Sequence, residues 1–201
     1  MEIRGVCHSY RRHEVLRGVD LRLAAGTVTG IVGENGAGKS TLLKILAGEL
    51  RPTRGTVRHT GRFGYCPQQV VLNNALTVRQ HLLFFQRAFA LPNLRRAQEV
   101  MDVLGLSAYR DERAGVLSGG TRQKLSLTLA LMHDPQVLLL DEPYQGFDWE
   151  TYLRFWELAG RLRDAGRTVL VVTHLAHDVE RLDEAWQLVD GRLRAGMTVA
   201  A

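Results

Sequence analysis

The sequence predicts an α/β protein: a mainly parallel core sheet with helices on both faces, preceded by an antiparallel β subdomain and interrupted by a helical subdomain. Three observations point there. Short β-branched runs at Thr27–Val32, Val137–Leu140 and Thr168–Thr173 alternate with helical patterns, the order expected of a parallel sheet. Before them, Ile3–Val6 and Leu16–Leu23 read as strands of a small antiparallel sheet. Between Gln69 and Leu117 the β-branched runs disappear and two amphipathic helices follow each other.

In chain order, the two N-terminal strands come first, and Thr56–His59 and Arg62–Cys66 are expected to join them in the antiparallel sheet. Thr27–Val32 leads into a glycine-rich stretch and a helix starting near Lys39. Thr77 and Gln80 fit a capping box, in which side chains and backbone satisfy each other at a helix start. Val78, Leu82, Phe85 and Phe89 then fall on one helical face. A second helix from about Leu94 to Leu104 places Val100, Val103 and Leu104 at core spacing, with Gly105 as its stop. These stripes read as lobe packing rather than a ligand box. No repeat, low-complexity segment or Pro/Ser-rich linker divides the chain, so residues 1–201 are expected to form one domain with a helical subdomain inserted at about 70–134.

Composition sets limits. A chain of 201 residues with 45% hydrophobic content can bury a sizeable core. Its 26 Lys+Arg against 21 Asp+Glu leave +5, spread from Arg4 to Arg194 without a dense block. That charge suits anionic nucleotide or an anionic membrane face, and equally an ordinary solvated surface. Cys7 and Cys66 form neither a close pair nor a ligand-spaced set, so a disulfide framework or zinc site has no support. Both read as small core residues in a reducing cytosol. No apolar run approaches the ~20 residues that span a bilayer, and Met1-Glu2-Ile3-Arg4 lacks a signal peptide's apolar stretch. Any membrane role is expected to come through a partner.

The strongest local signal is Gly33-Glu34-Asn35-Gly36-Ala37-Gly38-Lys39-Ser40-Thr41, a GxxxxGK[ST] phosphate loop between a strand and a helix. Its glycines let successive amides turn inward at phosphate oxygens, and the helix N-terminus adds positive potential. Lys39 should reach the β- and γ-phosphates, and Ser40 should bind Mg²⁺. A second element, Val137-Leu138-Leu139-Leu140-Asp141-Glu142-Pro143, delivers two acids to the carboxyl edge of the sheet, where ligands of such sheets bind. Asp141 is the candidate to hold Mg²⁺, directly or through water, and Glu142 the candidate base that polarises the attacking water; a plain acidic turn is the competing reading. The third element is Leu117-Ser118-Gly119-Gly120-Thr121-Arg122-Gln123-Lys124, followed by a helix to about Met132.

In that order, with Val172-Thr173-His174 after them, these motifs resemble those of the ABC ATPases over nearly the whole chain. The resemblance implies the P-loop fold of that family, ATP and Mg²⁺ as cofactors, and roles for further residues. Tyr10 matches the adenine-stacking aromatic, an exposed turn tyrosine being the alternative. Gln68, after Tyr65-Cys66-Pro67, matches the glutamine that senses Mg²⁺ and water; Gln69 takes its place if the register slips by one. His174 matches the switch histidine at the γ-phosphate, while His177 reads as helix surface. Ser118, Gly119 and Gly120 match the signature that contacts ATP held by another subunit, and Asp148 the aspartate at the dimer interface. The stretch Tyr144-Gln145-Gly146-Phe147-Asp148-Trp149 is bulkier than the family's usual small polar version, as Thr121 departs from its usual glutamine.

One set of motifs implies a second copy or paralogue, with two ATP molecules between two such domains. The resemblance further implies a separately encoded integral membrane transporter subunit docked beside Gln68 and the helical lobe, and a cytoplasmic location on the inner face of the membrane. The signature version and the lack of a C-terminal regulatory extension resemble small export-type subunits. Two readings compete. A soluble ABC ATPase acting on nucleic acid or ribosomes would usually carry two cassettes or long coiled coils, so no direct nucleic-acid contact is expected. A non-hydrolysing scaffold that uses ATP as a clamp would not need Glu142 and His174.

Overall fold

The computed structural model describes residues 1–59, 61–174 and 176–196. Two long strands, β1 (Glu2–Tyr10) and β2 (His13–Arg22), form a hairpin, and β3 (Val28–Val32) follows as the first strand of the core sheet. Helix α1 (Lys39–Leu46) starts at the phosphate loop, and β4 (Arg54–Arg58) returns antiparallel to β1, giving a three-stranded sheet of order β2-β1-β4.

The segment Arg62–Cys66 departs from expectation. As β5 (Phe63–Cys66) it pairs in parallel with β6 (Val137–Asp141), not with the antiparallel sheet. Its alternation, with Gly64 and Cys66 buried and Phe63 and Tyr65 half-buried, is a strand signal that carries no information about the partner. Between β5 and β6 lie α2 (Val78–Ala88), α3 (Arg95–Val103) and α4 (Gly119–Leu131), as the loss of β-branched runs predicted. After β6 come α5 (Trp149–Asp164), β7 (Thr168–Thr173), a 3₁₀ segment (Ala176–Arg181) and the hairpin β8 (Glu184–Val189) and β9 (Arg192–Ala195). The hairpin went unread in the sequence, although its Asp190-Gly191 turn, with φ of 49° and 74°, is the chemistry a two-residue connection requires.

The six-stranded sheet has the order β5-β6-β7-β3-β8-β9, parallel except for β9. Its centre is buried on both faces, which is why Val137-Leu138-Leu139-Leu140 and Val169-Leu170-Val171-Val172 are continuous apolar runs. Leu138, Leu140, Val169 and Val171 meet Phe155, Leu158 and Leu162 of α5. Leu139, Leu170, Val172 and Ile31 face Leu42, Leu43 and Leu46 of α1, with Ile3, Val6 and Leu16 of the small sheet. The inserted helices bury Val78, Leu82, Ala97, Met101, Leu125 and Leu129 in a third cluster. Thr77 and Gln80 make both halves of the capping box, at 3.1 and 2.8 Å.

Candidate functional site

The four parallel strands β5, β6, β7 and β3 end at one edge. Cys66 lies opposite Leu140, Asp141 opposite Val172, and Val32 opposite Thr173, so every chain segment leaving these strands emerges at the same place. The phosphate loop, Gln68, the adjacent Asp141 and Glu142, and His174 are therefore collected by topology from four separate stretches of sequence.

The loop at residues 33–41 turns on Gly38, whose φ of 103° caps α1 in a conformation open to glycine alone at little strain. Lys39 is buried at 6% exposure, and its Nζ donates to the carbonyls of Gly33 (2.7 Å) and Glu34 (2.9 Å). The ammonium thus points back into the concavity of its own loop, where a phosphate oxygen would replace those carbonyls. Ser40 hydrogen-bonds Asp141, which is 2% exposed. Burial pushes the Asp141 carboxyl above its usual range, the Ser40 hydrogen bond opposes this, Glu142 adds to it, and the charge of Lys39 opposes it. A half-buried hydroxyl paired with a buried carboxylate beside a buried ammonium is the hard oxygen donor set that Mg²⁺ takes beside a phosphate chain, so the residues fit that ion.

Adjacent acids at the end of β6 point differently because the backbone breaks there. Glu142 has φ of 48°, a conformation that costs a non-glycine residue about 1 kcal/mol or more and recurs at functional sites. Its amide still bonds the Val172 carbonyl at 3.0 Å, while its carboxylate takes two partners. Gln68 Nε2 donates to Oε2 at 3.0 Å, and His174 Nδ1 lies 2.9 Å from Oε1. Gln68 is thus the glutamine that reaches Glu142. Glu142 is nearly buried while Gln68 and His174 on either side of it are exposed, so the row Gln68–Glu142–His174 holds a buried carboxylate between two partners that face solvent.

Of the remaining sequence candidates, Tyr10 and Ser118 do not touch this row, whereas Gly119 and Gly120 share a cavity with Gln68. Tyr10 ends β1, is 47% exposed and stacks edge-on against His8 at 4.7 Å. A cavity of about 470 Å³ beside the phosphate loop is lined by His13, Val15, Asn35, Gly36, Ala37 and the β8–β9 turn, and not by Tyr10. Ser118 caps α4: its Oγ accepts from the Thr121 amide at 3.2 Å, and the two hydroxyls are 2.9 Å apart. Gly119 and Gly120 begin α4 beside a shallow cavity of about 300 Å³ shared with Gln68, Gln123, Gln145 and Gly146. The departure at Thr121 therefore has a local use as partner of the cap.

The resemblance gave Asp148 a place at the dimer interface but no local role, and other residues that organise this region carried no assignment at all. Asp148 caps α5 through the Thr151 amide and hydroxyl, both at 2.8 Å, which holds its carboxyl down at about 2. Lys124 of α4 donates to Thr151 Oγ1 at 3.0 Å and lies 3.6 Å from Asp148, joining the Ser118 helix to the loop after β6. Tyr144 and Tyr152 both donate to the fully buried Asp178. The only sequence signal for that cluster was the unusual bulk of Tyr144.

A family model described as ABC transporter matches residues 16–145. Among curated proteins, the chain is 30% identical to ABC transporter G family member 20 of Dictyostelium discoideum, over 96% of this chain but 28% of that one. It is 34% identical to Nod factor export ATP-binding protein I of Rhizobium sp. (strain N33), over 96% and 68% of the two. The same protein of Paraburkholderia xenovorans (strain LB400) is 36% identical over 90% of this chain and 65% of its own length. Thus the chain spans from under a third to about two thirds of these relatives. A solved ATP-binding subunit of an ABC transporter superposes with TM-score 0.91 at 27% identity, covering 98% of this chain and 89% of that one. A dimeric bacterial ABC transporter cassette gives the same TM-score at 24% identity and shares the fold.

Proposed function

The chain belongs to the ABC transporter family, and from that premise we propose that it is an ATP-binding, ATP-hydrolysing subunit that energises a separately encoded transmembrane partner. The observation that carries this reading is the Gln68–Glu142–His174 row at the strand edge that also holds Lys39. The phosphate chain lies in the loop at residues 33–41, where Lys39 exchanges two carbonyls for β- and γ-phosphate oxygens and the start of α1 supplies amides. Ser40, Asp141 and Gln68 would hold Mg²⁺, which when bound neutralises phosphate charge. Glu142, buried and accepting from both sides, orients a water and takes its proton as the bond to the γ-phosphorus forms and the bond from that phosphorus to the β,γ-bridging oxygen breaks, releasing ADP. His174 steadies the Glu142 carboxylate and faces outward to the γ-phosphate.

Ser118, Gly119 and Gly120 start a second helix whose N-terminal amides suit an anion. In this reading they serve ATP held by a second copy or a paralogue, with Asp148 along the same interface. Residues 1–201 act as one ATPase domain, and the helices inserted at about 70–134 carry the ATP-dependent movement to the membrane subunit docked beside Gln68. The described residues hold no helix long and apolar enough to cross a membrane; in this reading the membrane part belongs to the partner, and the chain sits at the cytoplasmic face. Tyr10 stacks on adenine at the hairpin end. The export direction is favoured by the relatives named for Nod factor export.

The test is Glu142→Gln. It should retain ATP affinity, slow hydrolysis by a factor on the order of 10² or more, and accumulate ATP-bound dimers on size exclusion. Turnover equal to the parent's would remove Glu142 from the mechanism.

A further inference from the structure

Asp178 is fully buried, and its carboxylate gathers hydroxyls from three separate elements. Oδ2 accepts from Tyr144 and from Thr173 Oγ1 (2.5 Å), and Oδ1 from Tyr152 of α5 (2.5 Å). His177 Nε2, on the exposed side, lies 3.6 Å away. Two of the three donors are placed tellingly. Tyr144 stands two residues beyond Glu142, and Thr173 immediately precedes His174. Besides the bond of the Glu142 amide to the Val172 carbonyl, the segments that carry Glu142 and His174 are thus joined twice by side chains, once directly at 2.9 Å and once beneath, through Asp178.

A buried carboxylate is costly unless its oxygens are satisfied. Apolar residues would fill the same space among Tyr144, Tyr152 and Phe155, whose rings already pack edge-on at 5.2 and 5.3 Å. Packing alone therefore gives no reason for an acid here. The reason lies in direction, because a carboxylate with three donors fixes where each donor's backbone runs. Glu142, in its left-handed conformation, is a residue that needs such external restraint.

We propose that Asp178 is a positioning residue for ATP hydrolysis, its carboxylate pinning the turn that carries Glu142 to the end of β7 that carries His174. This rests on the reading of Glu142 as the base and adds the device that aims it. Tyr144 is the arm of the device that acts on Glu142. Tyr152 is an arm to α5, which carries neither group.

That difference gives the test. In the purified protein, Tyr144→Phe should lower kcat about tenfold, as misorientation of a base does, with KM for Mg-ATP within about twofold. Tyr152→Phe removes an equivalent hydroxyl from the same carboxylate, so it should lower the thermal midpoint to a similar extent while leaving kcat within about twofold of the parent. Asp178→Asn should behave like Tyr144→Phe or worse; should it fail to fold, the two phenol variants carry the test. In a Glu142→Gln background, Tyr144→Phe should cause no further loss, because the group being aimed is gone. Equal effects of Tyr144→Phe and Tyr152→Phe on kcat, or a full additional loss on top of Glu142→Gln, would overturn the proposal. Parent-like turnover in Glu142→Gln would instead overturn the reading beneath it. An inactive Glu142→Gln beside a parent-like Tyr144→Phe would sink the positioning role alone.

Discussion

Gly119 and Gly120 stand side by side at the start of α4, yet the structure assigns them opposite tolerances. A Cβ on Gly120 would lie 2.1 Å from the Gly146 carbonyl oxygen and 2.8 Å from its carbon, where ordinary contact begins at 3.4 Å. More than an ångström must be found between two backbones, one of them the loop that runs from Glu142 to the Asp148 cap. A Cβ on Gly119 meets nothing within 4 Å. Overpacking of this kind costs about 1–3 kcal/mol, and in a chain of this size each kcal/mol moves the thermal midpoint by about 2–4 °C. Gly120→Ala should therefore melt about 4–8 °C below the parent for a cost of about 2 kcal/mol. Gly119→Ala should melt at or slightly above it, since alanine is the better helix former by up to about 1 kcal/mol. Thermal melts followed by circular dichroism measure both. Midpoints within a degree of each other would refute the close approach of α4 to the loop after β6.

Three further outcomes are expected. Lys39→Ala should abolish ATP binding or turnover, read by nucleotide-affinity titration and phosphate release, because its charged contact is the strongest single contribution of the loop; normal hydrolysis by the folded variant would remove the phosphate-loop assignment. Ser118→Arg should keep nucleotide binding by the monomer while blocking ATP-driven dimerisation in light scattering, and normal dimerisation and turnover would unseat the signature assignment. Asp148→Ala should cost about 1 kcal/mol through loss of the α5 cap. The cap's carboxyl sits near 2, below the ~3.9 of an unfolded aspartate. Its contribution is therefore complete above about pH 4 and is lost as the pH falls towards 2, so the stability gap between parent and Asp148→Ala should close in acid denaturation curves over that window.

What the sequence determined by itself was whatever is encoded within a few residues of its own position. The Thr77–Gln80 box, the Ser118 cap, the stop at Gly105 and the phosphate loop are local chemistry, and each took the form its residues dictate. The apolar runs at Val137–Leu140 and Thr168–Thr173 likewise announced strands buried on both faces. Partner choice is not local, and there the tertiary structure decided. A strand's period states its faces but not its neighbour, so nothing in Arg62–Cys66 itself distinguishes the antiparallel sheet from its actual place beside β6. The same pairing brings Gln68 to Glu142. Asp178 carried no sequence signal, because a buried acid is distinguished from a surface one only by what closes over it. Here that closure comes from Tyr144, Tyr152 and Thr173, three elements that meet because β6 and β7 are neighbours in the sheet.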